Sequence, residues 1–340
     1  MTFIFRADGN AKIGVGHLMR CLSVAKAMPN REEVLFVCAD EDSAQTVSQH
    51  GLKAIALHTD YQNMEEEIPI LKVLCDNTEK KTFFVDSYYV TDEYIEYLRR
   101  YGKVFLMDDM QKHAYPADGI INYNLYACEE AYRQLYEDSR QIPTYYIGEK
   151  YIPLRSQFNN RNIEIKDKVH RVLITTGGGD VDNIAWEILD TIYRSDIEFL
   201  VIIGKFSPHL DKWLKRSNEQ TNVKVLYDVQ NMADLMQSCD LAITAGGSTI
   251  YELSAIGTPF ICFSYASNQE MLVQYIADKQ ISASAGNWHI NRENVRRTIG
   301  KMFSELMEYK EKREEYSKKM QRLVDGRGAE RIVQKLIETK

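Results

Sequence analysis

The 340-residue sequence contains no long apolar run, no closely spaced cysteine pair and no excess of positive charge. A membrane-spanning helix needs about 20 mainly apolar residues, and no window approaches that length. The apolar run near the N-terminus is also too short for a signal peptide, which predicts a cytoplasmic location. At a net charge of −7, the chain lacks the basic surface with which sequence-independent nucleic-acid binders neutralise phosphates. We therefore expect neither a membrane nor a nucleic acid as a partner.

The six cysteines are spread through the chain, and no two of them lie two to five residues apart. Zinc ribbons and thioredoxin-type sites need such a spacing, so both classes are excluded. We predict a reduced protein that holds no metal and no cofactor. The sequence leaves the oligomeric state open, a monomer included.

What the sequence does contain is an alternation of short apolar runs and amphipathic stretches. This alternation is typical of parallel β-sheets that are covered by helices on both faces. It breaks at residues 151–168, where the sequence becomes polar and irregular. We therefore predict an α/β protein of two doubly wound, Rossmann-type domains with an interdomain cleft. They occupy residues 1–155 and 156–300, and a charged helical tail follows over 301–340, either largely solvated or packed back on one of the two domains.

The predicted elements follow this alternation in both halves, and Thr91 is a plausible N-cap for the fourth helix. In the first half the strands are Thr2–Phe5, Val34–Cys38, Ala54–Leu57, Thr82–Val85, Val104–Met107 and Gly119–Ile121, and the helices are Leu18–Met28, Ala44–His50, Met64–Leu74 and Glu93–Tyr101. In the second half the strands are Val172–Thr175, Phe199–Ile203, Val223–Tyr227, Leu241–Thr244 and Phe260–Phe263, and the helices are Asp182–Tyr193, Pro208–Ser217, Met232–Ser238 and Thr249–Ile256.

A glycine loop before the first predicted helix is the first candidate site. Gly14 and Gly16 let the backbone turn sharply and approach a ligand, and the free N–H groups of a helix start attract an anion. His17 follows in the first turn, where the helix dipole favours a neutral imidazole that can accept a proton. Arg20 lies one turn further on and is a candidate substrate contact. The alternative is a glycine turn with an incidental histidine.

A second glycine loop, with Gly177 and Gly178, follows the first strand of the second half. A third, with Gly246 and Gly247, follows the predicted strand Leu241–Thr244 in the same half. Glycine turns at strand ends are typical of phosphate-binding sites. The three loops together favour a phosphate-binding cleft.

The third loop continues into Ser248 and then into a helix that carries Glu252. A strand, a glycine turn, a helix start and a hydroxyl together predict an anion site, and the carboxylate of Glu252 is placed to accept hydrogen bonds from a ribose diol. The alternative is a plain N-cap and an exposed first-turn acid.

Polar side chains also follow other predicted strands, at the sheet edge where parallel sheets bind ligands. Asp86 and Tyr88 follow the strand Thr82–Val85, and Asn122 follows Gly119–Ile121. We interpret Asp108 and Asp109 as helix caps or solvated loop acids. In the second half, Asn268 and Gln269 join a strand to a helix, where amides can contact a base or sugar hydroxyls or cap the helix.

In this order, the motifs resemble one known family. They read FRADGNAKIGVGHLMRCLSVAKAM, VDSYYV, LMDDM, INYN, LITTGGGD, ITAGGSTIYELSAIGTP and YASNQE, and the similarity extends from residue 1 to about 285. The family is that of the UDP-sugar hydrolases of pseudaminic acid synthesis, called PseG or, in spore-coat contexts, SpsG. It is related to MurG, the glycosyltransferase of lipid II synthesis, and shares its GT-B architecture of two Rossmann domains.

The resemblance implies hydrolysis of UDP-2,4-diacetamido-2,4,6-trideoxy-β-L-altropyranose, with attack of water at the anomeric carbon and inversion. His17 matches the family's catalytic histidine, and Tyr88 the tyrosine of its Asp-x-Tyr element near the sugar. By the same match Gly246, Gly247 and Ser248 hold the diphosphate and Glu252 the ribose, while Asn268 and Gln269 lie near the sugar or the phosphates. In two respects the chain departs from the family: Ser87 stands where a histidine is common, and the tail after about residue 285 is longer.

Three other functions share this sequence pattern. A GT-B glycosyltransferase would use the same UDP site with an acceptor hydroxyl in place of water. A UDP-sugar epimerase would need further acid and base residues, and a regulatory nucleotide-sugar-binding module would need no histidine at the position of His17. The sequence does not fix the stereochemistry of the sugar.

Overall fold

The computed structural model describes residues 2–10, 13–76, 80–177, 180–204, 207–227 and 229–338. The chain forms two compact units. Unit 1 comprises Met1–Ser156 and Arg327–Lys340, and unit 2 comprises Gln157–Gly326. Within the described ranges, no helix is both long enough and apolar enough to cross a membrane.

Unit 1 contains a seven-stranded sheet in which every pairing is parallel. Its central strands are buried on both faces, as expected when helices cover both sides of a sheet. The strand order is β3-β2-β1-β4-β5-β6-β7. The strands are β1 (Thr2–Ala7), β2 (Val34–Cys38), β3 (Lys53–Ala56), β4 (Lys81–Asp86), β5 (Gly102–Met107), β6 (Gly119–Asn122) and β7 (Thr144–Ile147).

The helices of unit 1 begin where their sequences supply a start signal. The predicted N-cap Thr91 is confirmed, because its side chain accepts a hydrogen bond from the backbone N–H of Tyr94. The predicted helix Met64–Leu74 instead divides into a 3₁₀ turn, Met64–Glu67, and an α-helix with proline in its first turn. The first five helices are α1 (Gly16–Lys26), α2 (Glu41–Gln49), α3 (Ile68–Cys75), α4 (Asp92–Arg99) and α5 (Glu129–Leu135).

Unit 2 repeats the design with six parallel strands in the order β10-β9-β8-β11-β12-β13. Its strands are β8 (Arg171–Thr175), β9 (Glu198–Ile202), β10 (Val223–Leu226), β11 (Leu241–Ala245), β12 (Phe260–Ser264) and β13 (Ala283–Asn287). Its helices are α6 (Ile184–Ile192), α7 (Leu210–Glu219), α8 (Met232–Gln237), α9 (Thr249–Ile256), α10 (Ser267–Asp278), α11 (Arg292–Glu308) and α12 (Lys310–Leu323).

The chain after residue 300 is helical and packs within each unit, so it follows the second alternative that the sequence left open and is not largely solvated. In unit 2, Phe303, Leu306 and Met320 are buried. Arg313 of α12 is also buried, and its guanidinium donates to the backbone oxygen of Leu306 and to the segment before β8. The last helix, α13 (Gly328–Glu338), belongs to unit 1. Most of the other charges that suggested solvation lie on the outer faces of these helices, which are amphipathic.

In both sheets the strand order reverses direction next to the first strand of the unit. β1 lies between β2 and β4 in unit 1, and β8 lies between β9 and β11 in unit 2. Chain connections leave such a pair of strands on opposite faces, which opens a crevice at their carboxyl ends where ligands bind. The loops after β1 and β4, and those after β8 and β11, therefore occupy the expected ligand-binding edge of each unit.

Candidate active site

The loop between β1 and α1 brings His17 to the carboxyl edge of the first sheet. Gly14 has a φ of +75° and its N–H donates to Asn10 O at 2.9 Å, so a glycine is needed for this turn. Helix α1 begins at Gly16 without a side-chain cap and without an acidic residue in its first turn. The start of α1 is therefore not neutralised by its own side chains, and it favours an anion.

His17 is paired with a buried carboxylate from the neighbouring strand β4. Its Nδ1 lies 2.7 Å from Oδ1 of Asp86, whose side chain is fully buried. Burial alone would raise the pKa of Asp86, but the charges of Arg20 and His17 outweigh it and hold that pKa well below its ordinary value. Asp86 is therefore ionised and acts only as a hydrogen-bond acceptor.

This carboxylate decides the tautomer of the histidine. Because Asp86 can only accept, Nδ1 of His17 carries the proton and donates it. The guanidinium of Arg20 also lies 3.3 Å from Nδ1, but the shorter contact to Asp86 dominates. In the neutral ring the lone pair is then on Nε2, for which the described residues supply no hydrogen-bond partner. His17 thus has the arrangement of a general base whose ring is oriented by an ionised carboxylate.

Arg20 connects the ends of three strands from its position one turn into α1. Its guanidinium binds Asp86 in a fork, with Nε–Oδ2 and Nη2–Oδ1 distances of 2.5 and 2.6 Å. Its Nη1 donates to Asp109 and to the hydroxyl of Tyr123, each at 2.9 Å. Planar bidentate pairing of this kind fixes geometry as well as charge. Arg20, predicted from the sequence as a substrate contact, thus supports the His17–Asp86 pair.

Tyr88 lies beside His17 and is held by Asp109. The two rings meet edge to face with 4.5 Å between their centroids, and the Tyr88 hydroxyl donates to Asp109 at 3.2 Å. Burial of the hydroxyl, together with the carboxylate of Asp109, raises the pKa of Tyr88 well above its usual value. The hydroxyl therefore stays protonated, and half of the side chain remains exposed to solvent.

Two adjacent acids after β5 have different surroundings, although their sequence context suggested the same role. Asp108 is buried and accepts from the backbone N–H groups of Met110 and Gln111, as expected for a loop-capping acid. Asp109 instead contacts Arg20 and Tyr88, so the interpretation of this residue as a cap or solvated acid was wrong. The sequence signal that could have identified Asp109 is its position at the carboxyl end of β5, the strand next to β4.

Asn122 ends β6 but is turned into the interior of unit 1. It is fully buried; its amide donates to the hydroxyl of Tyr132, and its oxygen accepts from Asn124. The structure therefore places it in an internal network that supports the loop, not at a solvent-facing edge where a substrate could reach it.

The glycines of unit 2 lie at the corresponding edge of the second sheet. Gly177 follows β8 with a φ of +85°, whereas Gly178 lies outside the described residues. A Cβ on Gly246 would lie 2.5 Å from Cγ2 of Val273, so only glycine fits there. A Cβ on Gly247 would meet nothing within 4 Å. Gly246 is thus required by packing, while Gly247 faces open space at the start of α9.

Ser248 and Glu252 occupy the start of α9. Ser248 is the N-cap residue, yet its side chain makes no capping hydrogen bond. The alternative of a plain N-cap therefore loses its support, because the hydroxyl is not used by the helix. Glu252 is half-buried in the first turn of α9.

Asn268 and Gln269 lie in the first turn of α10, after β12. Gln269 accepts from the backbone N–H of Tyr265 at 3.0 Å, and the Tyr265 hydroxyl donates to Thr176 O at 2.9 Å. These bonds join the loop after β12 to the loop after β8. Asn268 is exposed at the same edge. Among the residues that the structure describes, no group of three histidine, cysteine or acidic side chains is placed to hold a metal ion.

Comparisons with known proteins agree on a glycosyltransferase-like architecture. Residues 173–328 match the glycosyltransferase family 28 C-terminal domain. MurG of Acinetobacter baumannii superposes with a TM-score of 0.68 at 11% identity, with 99% of each chain covered. At that identity the likeness shows the fold alone, and it confirms the predicted GT-B-like class of two doubly wound domains.

Three curated proteins are similar in sequence over most of the chain. An uncharacterized protein of Methanocaldococcus jannaschii is 26% identical over 331 residues, which cover 91% of this chain but only 66% of that protein's length. The UDP-2,4-diacetamido-2,4,6-trideoxy-β-L-altropyranose hydrolase of Campylobacter jejuni is 25% identical over 281 residues, 82% of this chain and 97% of that one. The spore coat polysaccharide biosynthesis protein SpsG of Bacillus subtilis is 22% identical over 335 residues, 96% and 95% of the two chains.

Proposed function

The chain belongs to the PseG/SpsG family of GT-B proteins, and on that premise we propose that it hydrolyses a UDP-linked diacetamido-trideoxy-hexose. The relatives support an enzyme that acts on UDP-sugars. The finer proposal is that water is the acceptor, that UDP-2,4-diacetamido-2,4,6-trideoxy-β-L-altropyranose is the substrate and that the product sugar enters pseudaminic acid synthesis.

The observation that carries this proposal is the pairing of His17 with Asp86. Asp86 is fully buried and ionised, and it fixes the imidazole so that Nε2 is left to accept a proton. An oriented base of this kind activates a small nucleophile such as water. Arg20 donates to both oxygens of the same carboxylate, so the geometry exists before substrate binds.

In the proposed reaction a water oxygen attacks the anomeric carbon and gives its proton to Nε2 of His17. The bond between that carbon and the diphosphate oxygen breaks, and UDP leaves with the bonding electron pair. Because attack comes from the face opposite the leaving group, the configuration inverts. Asp86 stabilises the imidazolium that forms, and Tyr88 contacts the sugar.

We assign the nucleotide to unit 2. Gly246, Gly247 and Ser248 would hold the diphosphate at the start of α9, and Glu252 the ribose, with Asn268 and Gln269 close by. Backbone N–H groups and a helix start stabilise the charge of a leaving diphosphate. With the leaving group neutralised in this way, neither a general acid nor a metal is needed, and activity should survive excess EDTA. Loss of activity in EDTA that magnesium restores would contradict this part of the proposal.

The decisive experiment follows UDP release from a panel of UDP-sugars, with and without added sugar and lipid-linked acceptors. A hydrolase releases UDP without an acceptor, places one oxygen from ¹⁸O-labelled water in the free sugar and yields the inverted anomer at early times. If UDP appears only when an acceptor is present, the chain is a GT-B glycosyltransferase instead.

A further inference from the structure

The carboxylate of Asp109, just beyond β5, makes both of its hydrogen bonds through one oxygen. Oδ2 accepts from Nη1 of Arg20 at 2.9 Å and from the hydroxyl of Tyr88 at 3.2 Å. Oδ1 accepts no hydrogen bond from any residue that the structure describes, although each carboxylate oxygen offers about two acceptor positions. Because the side chain of Asp109 is still 15% exposed, Oδ1 is available to a donor from outside the chain.

A second polar atom without a partner lies near Asp109. Tyr126 is in the loop after β6, the strand next to β5, and its side chain is half-buried. Its hydroxyl makes no hydrogen bond within the described part of the chain. Burial, together with the negative charge of Asp109, raises the pKa of Tyr126 to about 12. The hydroxyl therefore keeps its proton, and it can donate a hydrogen bond near a carboxylate oxygen that can accept one.

Both atoms belong to the edge of unit 1 that carries the candidate base. Tyr88, which donates to Asp109, packs against the ring of His17 with 4.5 Å between the ring centroids. The loops after β4, β5 and β6 are neighbours at the carboxyl edge of the sheet, where ligands bind in parallel sheets. A role confined to holding Arg20 and Tyr88 would need only Oδ2 of Asp109, and it would leave the hydroxyl of Tyr126 without a use.

Building on the proposed function, we infer that Asp109 and Tyr126 are further substrate-binding residues, which together hold one polar group of the sugar. Oδ1 of Asp109 accepts from the N–H or O–H of that group, and the hydroxyl of Tyr126 donates to its oxygen. A hydroxyl and a secondary amide each offer both a donor and an acceptor, so this pair of contacts is their shared chemistry. The carboxylate that supports Arg20 through one oxygen thus binds the sugar through the other.

Asp109→Asn tests the unused oxygen by itself. The amide oxygen can keep the bonds from Arg20 and Tyr88, whereas the NH₂ group puts a donor where Oδ1 would accept. Loss of a hydrogen bond to a charged group weakens binding by about tenfold or more. We expect this rise in the Kd of the UDP-sugar, measured in the His17→Asn background to slow turnover, and no change in the Kd of UDP.

A matched control and a second variant accompany this measurement. Asp118→Asn should leave both Kd values unchanged, because Asp118 is also partly exposed and paired with an arginine in unit 1 but lies just before β6, at the opposite edge of the sheet. Tyr126→Phe should raise the Kd of the UDP-sugar several-fold and leave that of UDP unchanged. If one sugar group contacts both residues, Asp109→Asn combined with Tyr126→Phe should raise the Kd by less than the product of the single effects.

Substrate analogues then identify the group. One set lacks a single hydroxyl of the sugar, and the other replaces a single amide N–H by an ester oxygen. The analogue without the recognised donor should bind the wild type more weakly, and Asp109→Asn should weaken its binding no further. If Asp109→Asn weakens the binding of every analogue by the same factor, the carboxylate does not accept from the sugar and the inference is wrong.

Wild-type affinity of Asp109→Asn for the UDP-sugar would also overturn the inference, as would an equal loss of affinity for UDP and UDP-sugar. A fall in kcat with an unchanged Kd would contradict it as well, because Asp109 would then act only through Arg20 and Tyr88. If the wild type binds the UDP-sugar but releases no UDP, the proposed function fails, and the Kd values still decide the inference. Should Asp109→Asn not fold, Tyr126→Phe, which removes only an unbonded hydroxyl, decides it.

Discussion

The expected ligand-binding edges of the two sheets share one strand topology but differ in the chemical groups that they present. In unit 1 the edge consists of interlocked charged side chains, with Arg20 joined to Asp86 and Asp109 and with Asp86 joined to His17. In unit 2 the corresponding edge consists of glycines, a hydroxyl and the start of α9, whose N-cap side chain makes no bond to the helix. Both edges have a glycine turn and a helix start, and the network of charged side chains distinguishes the edge of unit 1. We call the edge of unit 1 the side-chain edge and that of unit 2 the backbone edge.

Under the proposed function, the difference corresponds to two kinds of chemical task. Proton transfer requires a side chain whose position and tautomer are fixed, and the buried ionised Asp86 provides this for His17. Binding a diphosphate requires several N–H donors at close range, and glycine gives a ligand access to them. The comparison therefore predicts that changes in unit 1 alter turnover and that changes in unit 2 alter nucleotide affinity.

The largest effect is expected at His17. His17→Asn removes the proton acceptor, so kcat should fall by about 100-fold or more, which is the usual scale for a lost general base. The Kd of UDP, measured by calorimetry, should stay at its wild-type value. His113→Asn is a matched control, because His113 also pairs with an aspartate in unit 1, but at an exposed position. A His17→Asn enzyme that turns over at the wild-type rate would rule out the base assignment.

The next effect is on stability and concerns the carboxylate behind the histidine. Asp86→Asn leaves the buried guanidinium of Arg20 without its main partner, and removing one member of a buried ion pair costs about 3–5 kcal/mol. Asp92→Asn, in the exposed pair with His113, should cost no more than about 1 kcal/mol. Urea unfolding of the two variants measures the difference.

The same pair predicts a pH dependence with a definite sign. The pKa of Asp86 is depressed in the folded state, so its contribution is fully present above the unfolded-state value of about 3.9 and is lost as pH falls below it. The unfolding free energy of wild type should therefore fall more steeply than that of Asp86→Asn as pH drops from about 5 to 3. Parallel curves for the two proteins would show that Asp86 is not held in its ionised form.

Substitutions at two adjacent glycines, Gly246 and Gly247, test whether the edge of unit 2 binds the diphosphate. Gly246→Ala forces a Cβ against Val273 and Gln269, so it should lower both the melting temperature and UDP affinity. Gly247→Ala adds a methyl group in open space, so the melting temperature should stay unchanged. If the diphosphate approaches the backbone there, the Kd of UDP should nevertheless rise several-fold. Thermal melts and UDP titrations on both variants check this, and wild-type affinity in Gly247→Ala would place the diphosphate elsewhere.

The alternation of apolar and amphipathic runs predicted most of the fold correctly. The strand Val34–Cys38 and the helix Thr249–Ile256 have the bounds that their sequences indicate. The strands β7 and β13 were missed because their sequences, TYYI and ASAGN, are short and lack a buried aliphatic run. Both lie at a sheet edge, where one side of the strand has no neighbour and less apolar sequence suffices.

The candidate site was predictable only as far as each residue followed a strand. The sequence indicated His17 by its position beyond β1 and Asp86 by its position at the end of β4, but not that the two side chains touch. That contact depends on β1 and β4 being neighbours, although 69 residues separate His17 from Asp86. The role of Asp109 depends in the same way on the pairing of β4 with β5.

The smallest expected effects test most directly whether the nucleotide binds to unit 2 and the sugar to unit 1. Glu252→Ala should weaken UDP itself, because a ribose contact is present in substrate and product alike. Loss of a hydrogen bond to a charged group costs about 1.5–3 kcal/mol, so the Kd should rise by about tenfold or more. KM should rise more than kcat falls, since the lost interaction is equal in the ground and transition states. Glu293→Ala is the control, because Glu293 is also a first-turn acid of a unit 2 helix but is exposed.

Tyr88→Phe should have the opposite signature. It removes the hydroxyl that donates to Asp109 while the ring stays against His17, so the effect should be a several-fold loss of kcat/KM on the intact UDP-sugar. The Kd of UDP should not change, because the assigned nucleotide residues all lie in unit 2. The measurement is a pair of titrations, UDP and UDP-sugar, on Tyr88→Phe and Glu252→Ala. If Tyr88→Phe loses affinity for UDP, or Glu252→Ala binds UDP as tightly as wild type, the side-chain edge and the backbone edge have been assigned to the wrong halves of the substrate.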